Sequence, residues 1–209
     1  MPVRVIAIPA DRPGLAGGGL DTIRARLVAA APSRGHEPIG GYTSVDALFD
    51  AIESILDAKQ DCLEILEITA HGDATLCDGI GITDATGADE RRGVETIAKR
   101  LTALSLCDHT DVYLSACNTG LPGLSAAAGA RSIAERLADA LPRFSPTYQQ
   151  RITIHGTRGY FGGTHMGGNA KTDRVVWGSL EARAADYPPF DDAMVASGSG
   201  CWRPFRNGW

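Results

Sequence analysis

The chain has 209 residues, of which 44% are hydrophobic, which suffices for one substantial core, so we expect a single domain over 1–209. Its 25 acidic and 20 basic residues give a net charge of -5, which disfavours nucleic acid as the main partner. No segment approaches the roughly 18 apolar residues that cross a bilayer, and the N-terminus meets Pro and Asp too early for a signal peptide. We therefore expect a soluble, cytoplasmic protein whose partners are proteins, peptides or small molecules, with no membrane attachment.

Strand-like and helix-like patterns alternate through the first three quarters of the chain. Short runs rich in β-branched residues predict strands, and segments with apolar residues three or four apart predict helices. The predicted strands cover 3–9, 38–42, 63–70, 111–116 and 151–155, and the predicted helices cover 20–31, 43–58, 92–106 and 130–140. This alternation indicates an α/β fold with an open, mostly parallel sheet and helices on both faces.

Three segments lie outside this alternation. A glycine-rich run at 14–19 lacks the lysine and the spacing of a phosphate-binding loop, so we expect a surface loop there. Six glycines within 156–168 predict a hairpin or flap, and 187–209 has no periodicity, so we expect it to wrap over the surface or close a pocket. The core is therefore placed in about 1–156, and the flap and C-terminal segment in about 157–209.

The five cysteines show no close CxxC pair, so we do not expect a disulfide framework. We place Cys107 at the end of a helix and assign no role to Cys62 and Cys77. A zinc site built from Cys107, His109, His71 and Cys77 is the metal alternative, but structural zinc sites prefer tighter pairs of ligands. We therefore expect no metal and no cofactor, and thiols that are available for chemistry.

Two predicted strands run out into reactive side chains. The third strand leads to His71 and Gly72, and the fourth leads to Cys117. Because reactions in open parallel sheets gather beyond the carboxyl ends of the strands, we expect His71 and Cys117 to face one another across a cleft. A thiol with the ordinary pKa of about 8.5 is mostly protonated at neutral pH, so it needs a base such as His71. The backbone N–H groups of Cys117 and Gly72 are candidates for an oxyanion hole.

Other residues compete for roles at this site. His155 is also followed by glycine at a predicted strand end, and it is the rival base. Arg158 and Arg203 could bind an acidic substrate side chain, because a guanidinium holds a carboxylate through two hydrogen bonds. Asp73 and Asp78 could instead select lysine or arginine, and the sequence leaves this choice open.

The strand-end motifs resemble those of the caspase-like cysteine peptidases, most closely the bacterial CHAT group. The matching segments are His-Gly at 71–72 and LSACNTG at 114–120, and the order of elements up to about residue 156 is similar. A fainter resemblance, from His71 through GTRGY at 156–160, is to the self-cleaving cysteine protease domains of bacterial toxins. The Cys-Trp-Arg run at 201–203 resembles the Ser-Trp-Arg segment that lines the caspase specificity pocket, although it lies much further from the cysteine.

The resemblance implies a thiol-dependent endopeptidase that forms an acyl-enzyme on Cys117 and strictly selects the residue before the cleaved bond. Its substrate would be a protein or peptide, and the loops 121–129 and 142–150 are candidate places for activation by cleavage or by a partner. Two alternatives stay open: a caspase-like binding or scaffold module without turnover, and a cysteine hydrolase or acyl transferase that acts on small molecules. Taken alone, Cys117 could also be a buried structural thiol.

Overall fold

The structure is a computed structural model that describes residues 1–10, 20–70, 76–77, 82–83, 87–116, 119, 132–145, 152–157 and 202–206. Within these ranges the strands are β1 (Val3–Pro9), β2 (Glu37–Tyr42), β3 (Leu63–Thr69), β4 (Leu76–Cys77), β5 (Ile82–Thr83), β6 (Leu106–Ser115), β7 (Ile152–Thr157) and β8 (Trp202–Arg206). The helices are α1 (Leu20–Ala30), α2 (Val45–Lys59), α3 (Gly87–Ala103) and α4 (Ile133–Ala140). Short 3-10 turns follow α1 and α4, at Pro32–Arg34 and Leu141–Arg143.

Six of the strands form one sheet in the order β2-β1-β3-β6-β7-β8. The first five run parallel, and β8 pairs antiparallel with β7. The predicted α/β fold with an open, mostly parallel sheet is thus confirmed. The remaining two strands, β4 and β5, form a separate antiparallel pair that the sequence did not predict.

Helices cover both faces of the sheet, as predicted. Because side chains alternate along a strand, Val5 and Ala7 of β1 join the large apolar cluster built with α2, α3 and α4. Ile6 and Ile8 point to the opposite face, where they pack with Leu27 of α1 in a second cluster. None of the helices in the described ranges is long and apolar enough to cross a membrane.

Some predicted boundaries were wrong, for local reasons. The helix predicted at 92–106 begins earlier, at Gly87, and ends earlier, at Ala103. The strand predicted at 111–116 begins earlier, at Leu106, because its polar first half lacks the apolar alternation that marks a strand. The helix predicted at 43–58 begins two residues later, at Val45, because Ser44 is its N-cap and accepts the Ala47 N–H with its hydroxyl over 3.1 Å.

The C-terminal segment 187–209, which we expected to wrap over the surface or close a pocket, contributes a strand to the sheet. Its residues Trp202–Arg206 form β8, which extends the sheet beyond β7. Pro204 lacks an N–H, which is why a run of this composition gives a weak strand signal, yet proline is tolerated in strands at the end of a sheet. The sheet therefore includes residues that lie beyond the core predicted at about 1–156.

Within the described residues a single disulfide joins Cys62 to Cys107, with the two Cα atoms 5.0 Å apart, so Cys62, to which the sequence analysis assigned no role, is one half of a bridge. Cys107 also does not end a helix but is the second residue of β6. The two cysteines are 45 residues apart in sequence, and they meet because β3 and β6 begin side by side. Cys107 is thereby unavailable to zinc, and the part of the chain that is described holds no group of three or more His, Cys, Asp or Glu suited to a metal.

Candidate active site

The strands β3 and β6, which precede the two candidate catalytic residues, are hydrogen-bonded neighbours. Their last residues, Thr69 and Ser115, are partners in the parallel register. One residue further, the Ala70 N–H donates to the Ser115 carbonyl over 3.2 Å. The chain therefore leaves both strands at the same edge of the sheet and at the same level. His71 and Cys117 follow at once in sequence and themselves lie outside the described residues.

Thr119 fixes the chain on the far side of Cys117. Its hydroxyl donates to the Leu114 carbonyl over 2.9 Å and lies 3.2 Å from the Ala116 carbonyl. The Ala116 N–H donates to the same Leu114 carbonyl over 2.9 Å, and the Ala134 N–H at the start of α4 donates to the Thr119 carbonyl over 3.1 Å. Both ends of the two-residue segment 117–118 are therefore anchored, a role of the threonine that the sequence motif alone did not indicate.

A buried carboxylate lies on the sheet just before this edge. Glu67 of β3 is 1% exposed, and the fully buried Ser115 hydroxyl donates to its Oε1 over 2.6 Å. That length is typical of a hydroxyl bound to an ionised carboxylate. Sequence reasoning missed this pair, although a glutamate inside the otherwise apolar second half of β3 was a signal, since buried acids need dedicated partners.

His155, the rival base, is held away from the candidate edge. It is fully buried inside β7, where its ring stacks on Tyr113 with the centroids 4.2 Å apart. Its Nε2 lies 2.6 Å from Oδ1 of Asp111, and the other carboxylate oxygen lies 3.3 Å from Nε2 of His109. Asp111 comes four residues before Ser115 on β6, so the imidazole is engaged on the side away from the strand ends. His155 is thus a buried residue of the sheet whose imidazole contacts Asp111.

The other predicted site residues are only partly covered by the structure. Arg203 belongs to β8 and pairs with Gly156 of β7, which in turn pairs with Leu114 of β6. Its backbone is thus two strands away from β6, at the level of Leu114. Four further residues lie outside the described residues, and their predicted roles stay predictions: Gly72, Asp73, Asp78 and Arg158.

No protein-family model matches the chain. No curated protein matches its sequence at a significant level either. The assignment of a function therefore depends on the strand-end geometry and on the residues that follow it.

Proposed function

We propose that the chain is a caspase-like cysteine endopeptidase with Cys117 as nucleophile and His71 as its base. One observation carries the proposal: the two strands that lead to these residues are adjacent, parallel and in register to their last residue. On these strands Ala70 and Ala116 belong to the apolar cluster, whereas Glu67 and Ser115 meet on the opposite face. The backbone bends at Ala116, whose N–H returns to the Leu114 carbonyl, so we propose that His71 and Cys117 meet because the two strands end at the same level of one sheet edge.

Residues that directly follow two neighbouring strands at one sheet edge can form such a pair. Adjacent strands lie about 4.8 Å apart, so an imidazole and a thiol at matched positions come within hydrogen-bonding reach. The anchoring of 117–118 by Thr119 supports the proposal, because a nucleophile must be held in place and a misplacement of about 1 Å can cost on the order of 100-fold in rate.

The proposed reaction proceeds through an acyl-enzyme. His71 takes the proton of the Cys117 thiol, and Sγ attacks the peptide carbonyl carbon. The oxyanion that forms accepts hydrogen bonds from the N–H groups of Cys117 and Gly72, each worth about 3 kcal/mol. The amine then leaves with the proton from His71, and a water molecule activated by the same imidazole hydrolyses the thioester.

Labelling with peptidyl acyloxymethyl ketones that differ only in the residue before the warhead tests the proposal. We expect the wild type to gain one label, Cys117→Ala to gain none, and His71→Ala to react at least tenfold more slowly. Cys77→Ser and Cys201→Ser are matched controls, because they remove the other cysteines outside the disulfide and should label like the wild type. Full labelling of Cys117→Ala would overturn the proposal.

The same panel separates the substrate classes and the alternatives. Preference for an acidic residue before the warhead would point to Arg158 or Arg203, and preference for a basic one to Asp73 or Asp78. Faster turnover of small esters than of peptides would indicate a small-molecule hydrolase. Absence of any label, with a specific peptide still bound, would indicate a binding module.

We also propose a cytoplasmic location, which the disulfide makes testable. Bonds such as Cys62–Cys107 are uncommon in the reducing cytosol, where they tend to be transient or redox-sensing. Trapping the free thiols in intact cells with iodoacetamide, followed by mass analysis, reports the state of the pair in its own compartment. A cytoplasmic protein should show a measurable reduced fraction, whereas complete oxidation would argue for an oxidising compartment.

A further inference from the structure

We infer that Glu67 is a positioning residue, which acts through Ser115 to hold the strand end that leads to Cys117 against the one that leads to His71. This inference rests on the proposed function and deepens it. Glu67 belongs to β3 and precedes His71 by four residues in sequence. Ser115 belongs to β6 and precedes Cys117 by two residues. Their hydrogen bond of 2.6 Å is therefore a side-chain link between the two strands just below the candidate site.

Ser115 is bonded on two sides to the strand that leads to His71. Its hydroxyl donates to Glu67, and its carbonyl accepts the Ala70 N–H. The carbonyls of the residues on either side of it, Leu114 and Ala116, both lie within hydrogen-bonding distance of the Thr119 hydroxyl. Three consecutive residues of the β6 end are thus fixed, and Ser115 is the one at which the two strand ends are joined.

An apolar side chain would fill the Glu67 position at lower cost. Glu67 is almost fully buried between strands whose other face is apolar, and an ionised carboxylate is expensive to bury. An acid at this position is therefore explained by a role in holding Ser115. Ser115 is the last residue of β6, the strand that leads to Cys117.

The negative charge of Glu67 also gives the inference a specific signature. The Glu67 carboxylate lies on β3, four residues before His71 in sequence, and it contacts Ser115, two residues before Cys117. An anion at that position favours the protonated forms of both the Cys117 thiol and the His71 imidazole, so it raises both apparent pKa values of the pair. Removing the charge should therefore move both limbs of a bell-shaped pH profile to lower pH.

Other titratable or charged groups on this face remain in every variant, so the shift can be assigned to Glu67. The described ones include Arg4 on β1 with its partner Glu64 on β3, Arg24 on α1, His109, Asp111 and Tyr113 on β6, and His155 on β7.

The test measures the second-order rate of Cys117 labelling by the preferred peptidyl ketone across pH. Glu67→Gln can still accept the Ser115 hydrogen bond, so we expect a peak rate within about threefold of wild type and both limbs displaced to lower pH. Ser115→Ala keeps the charge of Glu67 but removes the hydrogen bond between the two strands. We therefore expect the maximal labelling rate to fall at least tenfold and the two limbs of the pH profile to stay at their wild-type pH values. If Glu67→Gln does not fold by circular dichroism, Ser115→Ala carries the test alone.

Thr110→Val is the matched control. Its hydroxyl donates to the Leu63 carbonyl over 2.8 Å, between the same two strands but at the beginning of β3 and the middle of β6. This variant should lose stability but keep the maximal labelling rate and the pH values of both limbs of the pH profile. Selective labelling of Cys117 that is unchanged in both Glu67→Gln and Ser115→Ala would overturn the inference while leaving the proposed function intact. Labelling that does not depend on Cys117 would overturn both.

Discussion

The Cys62–Cys107 bridge should contribute a large share of the stability of the fold. It closes a loop over a sequence separation of 45 residues that contains α3 and the whole of β3. In the chain-entropy account, a loop of this length removes about 13 cal/mol/K from the unfolded chain, or about 4 kcal/mol at 25 °C. Typical domains are stable by about 5–15 kcal/mol, so opening the bridge should be readily measured.

Urea unfolding, followed by circular dichroism, compares the oxidised wild type with the Cys62→Ser/Cys107→Ser variant. With a slope of about 2 kcal/mol/M, we expect the midpoint to fall by about 2 M. Cys77→Ser/Cys201→Ser is the control, since it also removes two cysteines but leaves the bridge, and it should keep the wild-type midpoint in oxidising buffer. Alkylation of all five cysteines in the unreduced, unfolded protein, or equal midpoints with and without reductant, would refute the reasoning.

Two further predictions concern the candidate edge and the rival base. Thr119→Val loses the hydroxyl that binds the Leu114 and Ala116 carbonyls, so it should cost about 1–3 kcal/mol of unfolding free energy and slow Cys117 labelling at least tenfold, whereas Thr119→Ser should largely restore both. Equal labelling rates for the two variants would contradict this anchoring role. His155→Phe keeps an aromatic ring against Tyr113 but loses the contact to Asp111, so it should lower the melting temperature and leave the labelling rate at a permissive temperature unchanged. A folded variant that no longer labels would reinstate His155 as the base.

The central strands were predictable because their signals are local. Val3–Pro9 and Leu63–Thr69 are runs of β-branched and leucine residues bounded by polar segments, and this pattern is what a strand buried on both faces requires. The start of α4 also has a local signal. Ser132 and Glu135 form a capping box, and Ser132 lies two residues beyond the predicted start of that helix. The motif at 114–120 overlaps the end of a predicted strand that the structure contains as β6.

The features that were missed depend on contacts between distant segments. Cys62 and Cys107 carry no pairing signal in sequence, because only the alignment of β3 with β6 brings them together. The strand β8 depends on β7 for its hydrogen bonds and has little propensity of its own. The link between Glu67 and Ser115 likewise appears only once the register of two strands 48 residues apart is known.

Peptide mapping of the labelled wild-type protein tests the central claim most directly. After reaction with the preferred peptidyl acyloxymethyl ketone, proteolysis and tandem mass spectrometry identify the residue that carries the adduct. We expect a single adduct on the peptide that contains Cys117, formed with a rate that falls at least tenfold in His71→Ala. An adduct on Cys77 or Cys201, or adducts spread over several thiols at the rate of an unstructured peptide, would contradict it.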